Sequence, residues 1–260
     1  MRAPQKDDLR LYAMAALAFI ASTVMTITWC QSMSAMPGMR MPGGWIMTMT
    51  WMRTPGQTWL EAGGTFFAMW TVMMVAMMLP VFAPALCRLR REAGRRRTVA
   101  AIGFAAAYFG VWASVGLLLF PLVAGFNALA MRSEMLSEIT PLLGGLVAII
   151  AGALQLTSWK SRALVRCRHD ADCCGSQQRM PRDAVQAGVR LGLKCAYCCA
   201  PLTTILLVTG VMNLLGMALI TFAISAERLT GSVNAARVVG AGVLTSGIIL
   251  VGSAILMLER

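Results

Sequence analysis

The chain has 260 residues, of which 58% are hydrophobic and only 13% charged, with a net charge of +12. A water-soluble domain carries about 25% charged residues, so lipid must be the solvent for much of this chain. The positive excess does not mark a nucleic-acid binder, because the basic residues fall in short runs between long apolar stretches and lack interleaved aromatics.

In chain order, six stretches are apolar and long enough (about 20 residues) to cross roughly 30 Å of hydrocarbon. They are Leu11–Trp29, Gly64–Leu86, Val99–Val123, Ile139–Trp159, Pro201–Ser225 and Val238–Leu258. The first is long for a secretory signal and no A-x-A-like site follows it, so a retained helix is expected. The expected fold is all-α: a polytopic helical membrane bundle forming a single domain over residues 1–260. An additional interfacial amphipathic helix is expected at Asp183–Lys194, where Gly188 and Gly192 lie four residues apart and would let another helix approach closely.

The loops set an orientation. Eighteen Lys and Arg residues fall before the first span, in the second-to-third loop, in Lys160–Lys194 and at Arg260, against five (Arg40, Arg53, Arg132, Arg228 and Arg237) on the other side. The positive-inside rule then puts the first group in the cytoplasm, with both chain termini there, as in a multi-pass protein of a bacterial inner membrane.

Sulfur is unevenly spread. Of 21 methionines, twelve lie between Met33 and Met78. The outer loop MSAMPGMRMPGG carries Met33, Met36, Met39 and Met41 among prolines and glycines, where packing gives little reason for them. Thioethers are soft ligands suited to Cu(I). Within the second span Met69, Met73 and Met77 recur at i, i+4 and i+8, and Met74 with Met78 repeats the offset, so each set forms one stripe. Such stripes serve packing as readily as they pass a soft cation.

Six of the eight cysteines cluster: Cys167, Cys173 and Cys174 in the large basic loop, and Cys195, Cys198 and Cys199 at the mouth of the fifth span. A cytoplasmic placement argues against structural disulfides. Lys194 and Arg190 stand beside C-x-x-C-C, and positive neighbours favour the thiolate that binds metal. Cys195 shares a helix face with Cys198 or Cys199, so one turn could chelate one ion. His169, the single histidine, is placed to join a site with Cys167, Cys173 and Cys174.

Taken together, these segments resemble a bacterial family of predicted metal-binding integral membrane proteins whose function is not established. The segments are MPGMRMPGGWIMTMTWM with FAMWTVMMVAMMLP, then AGALQLTSWK, the basic Cys-bearing loop, Cys195-Ala-Tyr-Cys198-Cys199 and LLVTGVMNLLGMALITFAISAERL. The resemblance runs from about Met33 to the C-terminus and implies a membrane location and metal binding. The chain departs from the pattern at Ala163, where the family tends to have a cysteine shortly before Cys167. It departs again at Ala200-Pro201, where a tryptophan commonly follows the Cys-Cys pair.

Little other chemistry is legible. Glu227 and Arg228 read as a pair near the outer end of the fifth span, and Asn213 reads as a mid-span residue bonding to another helix. No nucleophile–base pair, proton relay or P-loop is visible, so an enzyme is not expected. The function expected is binding of a soft metal, Cu(I) ahead of zinc, for uptake, transfer or homeostasis. Expected partners are the bilayer and the metal ion, with a homo-oligomer or a membrane protein partner compatible and nucleic acid excluded. A membrane assembly or scaffold subunit, or a metal-dependent redox subunit, is the alternative.

Overall fold

The computed structural model describes residues 6–34, 39–40, 46–47, 56–92, 97–172 and 181–258. The chain is a helical bundle, as its composition requires. In order come α1 (Lys6–Ser34), α2 (Trp59–Glu92), α3 (Arg97–Arg132), α4 (Glu134–Leu156), α5 (Ser158–Asp172), α6 (Pro181–Thr209), α7 (Leu214–Thr230) and α8 (Val233–Leu258). Between α1 and α2 a two-residue pairing joins β1 (Met39–Arg40) to β2 (Ile46–Met47), antiparallel, with Met39 opposite Met47. Six helices (α1, α2, α3, α4, α6 and α8) are long and apolar enough to cross a membrane. Helices satisfy their own backbone groups, which is what hydrocarbon demands.

Local chemistry sets the helix ends. Thr58 and Glu61 form a capping box at the start of α2: the Thr58 N–H donates to the Glu61 carboxylate at 2.8 Å, and the Glu61 N–H donates to the Thr58 hydroxyl at 3.3 Å. Ser133 caps α4 by accepting from the Leu136 N–H. Gly210, at φ 96°, ends α6 in the left-handed region, and Asn213 then caps α7 by accepting from the Gly216 N–H at 3.0 Å.

Two boundaries therefore differ from expectation. Asp183–Lys194 is not a separate interfacial helix; it is the first part of α6, which runs unbroken to Thr209. The apolar run Pro201–Ser225 is broken at Gly210–Asn213, so Asn213 is a helix cap instead of a mid-span residue. The glycine and the Asx cap decide this where hydropathy cannot.

Contacts fix the direction of each helix. Gly188 of α6 lies against Phe104 of α3, and Gly192 against Tyr108 and Val111, so α3 and α6 run parallel. A Cβ on Gly188 would stand 2.5 Å from the Phe104 carbonyl oxygen, which is the close approach that the Gly188/Gly192 spacing implied. In α2, Phe66 stacks on Phe120 and Phe82 on Phe104 and Tyr108, so α2 is antiparallel to α3. Helix α8 is antiparallel to α4: Gly145 meets Val251, Gly152 meets Leu244 and Gln155 meets Gly240. Cys30, near the end of α1, meets Met212 in the α6–α7 turn at 3.6 Å.

These pairings show α7 returning from the Gly210–Asn213 turn to the end where α4 meets α5. The start of α1 and the finish of α8 consequently lie at opposite ends of the bundle; the chain termini themselves, expected on one side, lie outside the described residues. The missed return has a clear cause, since α7 and the second part of α6 read as one span when the break is overlooked. Arg228 and Arg237 move with it. They join Arg10, Arg88, Arg90, Lys160, Arg162, Arg166, Arg168, Arg182, Arg190 and Lys194 at one end, and among the described side chains of the helices Arg132 is basic at the other, with Arg40 in β1 on the α1–α2 connection.

Candidate metal centre

Helix α2 is the most enclosed of the six apolar helices and α6 the next. Met69, Met73, Met74, Met77 and Met78 are all buried, with Phe66, Trp70 and Phe82 around them. The Trp70 indole N–H donates to the Trp112 carbonyl at 2.9 Å, tying α2 to α3. Pro80 and Pro84 lie inside α2 just past the stripe, so the carbonyls of Ala76 and Pro80 lose their helical donors.

The same core continues into the cysteines. Cys167, Cys195 and Cys199 belong to the buried cluster that holds the α2 methionines, and each is at most 2% exposed. Cys195 and Cys199, one turn apart on α6, bring their sulfurs to 4.0 Å. An ion about 2.3 Å from each sulfur, an ordinary thiolate–metal distance, would see them about 120° apart, an angle that leaves a third in-plane position. The Tyr108 hydroxyl donates to the Cys195 sulfur at 3.1 Å from α3. Cys198 faces another way and packs with Ala163, Leu164 and Ala236.

Helix α5 closes the arrangement. Cys167 turns inward, where the Arg228 guanidinium donates to its sulfur. Burial pushes the Cys167 thiol up to about 12, with Arg228 pulling the other way, so at neutral pH it carries its proton and a metal must displace it. Lys160, 1% exposed, is shared among three helices: its ammonium donates to the Cys198 carbonyl at 2.8 Å and pairs with Glu227 of α7 at 2.8 Å. Gln155 of α4 donates to the other Glu227 oxygen at 2.8 Å. The C-x-x-C-C turn is thus held by a buried ion pair that α4, α5 and α7 complete together.

The structure brings Cys167, Cys195 and Cys199 into one core, with Met73 and Met77 in that same core. His169 does not join them: it is exposed on α5, two residues and therefore about 200° around the helix from Cys167. Met39 falls in β1, while Met36, Met41, Cys173 and Cys174 lie outside the described residues. Among the described residues no three His, Cys, Asp or Glu side chains gather as a ready metal-holding group. The Glu227–Arg228 pairing expected from sequence does not form. Glu227 takes Lys160, Arg228 takes Cys167, and both sit at the basic end. Sequence reasoning missed Lys160, Gln155 and Tyr108. A single lysine and a single glutamate, each abutting an apolar run, was the available signal.

No curated protein and no solved structure matches the chain. A family model described as PpoB2, copper chaperone, matches residues 67–250. That segment contains the α2 stripe, Tyr108, Lys160, Cys167, Cys195–Cys199 and Arg228, and it covers most of the chain; the protein belongs to this copper chaperone family.

Proposed function

We propose that the protein carries Cu(I) in a bacterial inner membrane, collecting it on thioethers and passing it to thiolates. One observation carries the reading: the buried methionines of α2 and the Cys167, Cys195 and Cys199 sulfurs share a single continuous core. The soft-ligand character of both groups supports copper ahead of zinc, as does the family description. The concentration of basic residues at the cysteine end supports placing that end in the cytoplasm. The methionine loop and the finish of α8 are then outside. Copper is cargo here. Cys195 and Cys199 provide the first two sulfurs, and Cys167 or a thioether of α2 the third.

The complete burial of Met73, Met74, Met77 and Met78 equally suits a scaffold whose sulfurs only pack, and one experiment separates the two. Purified protein is titrated anaerobically with Cu(I) against a competing chromophoric chelator, comparing wild type with C195S/C199S and with C195S/C198S/C199S. The chaperone reading expects tight binding that both variants lose, with C198S alone losing little. Unchanged stoichiometry and affinity across all of them would sink it. Tighter binding of Zn(II) than of Cu(I) would change the cargo.

A further inference from the structure

Beside the cysteine turn, and separate from it, α5 and α6 enclose a groove of about 200 Å³ lined by Trp159, Arg162, Ala163, Arg166, Lys194 and Tyr197. It is smaller than the roughly 300 Å³ at which sites for drug-sized ligands begin, so it suits one chemical group. Three of its six lining residues are cationic and none is acidic, so the group it suits is an anion. The site is built: Trp159 and Tyr197 meet edge to face with ring centroids 4.7 Å apart, and the indole N–H donates to the phenol oxygen. The Arg162 Nε donates to the Ser158 carbonyl at 3.2 Å, which fixes the side chain's course along α5.

Its position in the bundle selects the source of the anion. Helix α4 has 23 residues, about 34 Å at the helical rise, which exceeds a hydrocarbon layer of roughly 30 Å. It ends at Leu156, three residues before Trp159, so the groove opens where hydrocarbon gives way to headgroups. Trp and Tyr concentrate at that level. Exposed Val165 and Leu193 on the same two helices offer apolar surface for acyl chains beside the cations.

We infer that the Arg162–Arg166–Lys194 groove binds the phosphate of an anionic phospholipid headgroup, with Trp159 and Tyr197 at the interface. The occupant is a lipid of the leaflet at the basic end. Because Ala163 both lines the groove and packs on Cys198, a bound lipid braces the turn that carries the thiols.

The test uses the full chain in mild detergent, mixed with equal amounts of dioleoylphosphatidylglycerol and dioleoylphosphatidylcholine, with retained lipid read by native mass spectrometry. Wild type retains the glycerol lipid preferentially. R162Q/R166Q weakens that association by roughly thirtyfold, the effect of removing two interfacial cations, and R162K/R166K restores most of it. Inorganic phosphate in the millimolar range leaves the lipid bound. Equal retention of the two lipids, or of the anionic lipid by wild type and R162Q/R166Q, overturns the proposal. Displacement of the lipid by equimolar phosphate overturns the lipid assignment, since the site would then serve free phosphate. Should the double variant not fold, the single changes R162Q and R166Q each show part of the loss, and retention equal to wild type in both overturns it as well.

Discussion

The methionine stripe of α2 and the cysteine turn of α6 belong to one core, yet they are held by opposite means. Around Met73 and Met77 the neighbours in the core are largely aromatic and aliphatic, and an indole bond from Trp70 to the Trp112 carbonyl ties α2 to α3. Around Cys195–Cys199 the restraint is polar and cross-linked: Lys160, Glu227 and Gln155 join three helices, Tyr108 reaches in from α3 and Arg228 from α7. Apolar packing tolerates exchange of like volumes, whereas a buried charged network fails when one member is lost. The proposed carriage of a soft ion would then run through an adaptable region into a fixed one.

The largest effect should come from halving the ion pair. Lys160→Met leaves the Glu227 carboxylate buried without its counter-charge and should cost about 3–5 kcal/mol, seen as a large fall in the thermal unfolding midpoint in detergent. Lys160→Met combined with Glu227→Leu should recover most of that loss. If the single variant unfolds like wild type, the polar region is not the rigid partner in the comparison. The methionine region should give the reverse pattern. Met73→Leu with Met77→Leu should cost under about 1.5 kcal/mol each while slowing Cu(I) delivery to the cysteines in reconstituted vesicles. Delivery at the wild-type rate would reduce the stripe to packing. The smallest change is Tyr108→Phe, which removes one hydrogen bond to the Cys195 sulfur. It should lower stability by about 0.5–1.5 kcal/mol and leave Cu(I) stoichiometry as it is, with the ultraviolet charge-transfer band of the Cu(I) complex shifted.

Much of this was legible beforehand. Hydropathy and length alone locate α1 to α4 and α8, and the sulfur spacing points to the methionines and cysteines that share one buried core. The rest failed for reasons that can be named. Gly210 and Asn213 lie inside an apolar run whose mean character is that of one span, so hydropathy does not show the α6–α7 break. Lys160 and Glu227 each looked like a flank of its own span, because their pairing depends on that same missed return leg. Tyr108 is an ordinary aromatic in an apolar helix until α6 docks at Gly188 and Gly192. His169 stands out in the sequence as the single histidine; on α5 it is exposed and faces away from Cys167, while Cys173 and Cys174 lie outside the described residues.

The opposite placement of the α1 start and the α8 finish has a consequence for how the molecule addresses its surroundings. The start of α1 lies at the end of the bundle that holds the thiols, and the finish of α8 lies at the opposite end. The two tails are therefore not interchangeable as handles. Under the proposed direction of copper passage, a domain or partner attached at the finish of α8 would meet the ion ahead of the bundle, and one attached at the start of α1 would meet it beyond the thiols.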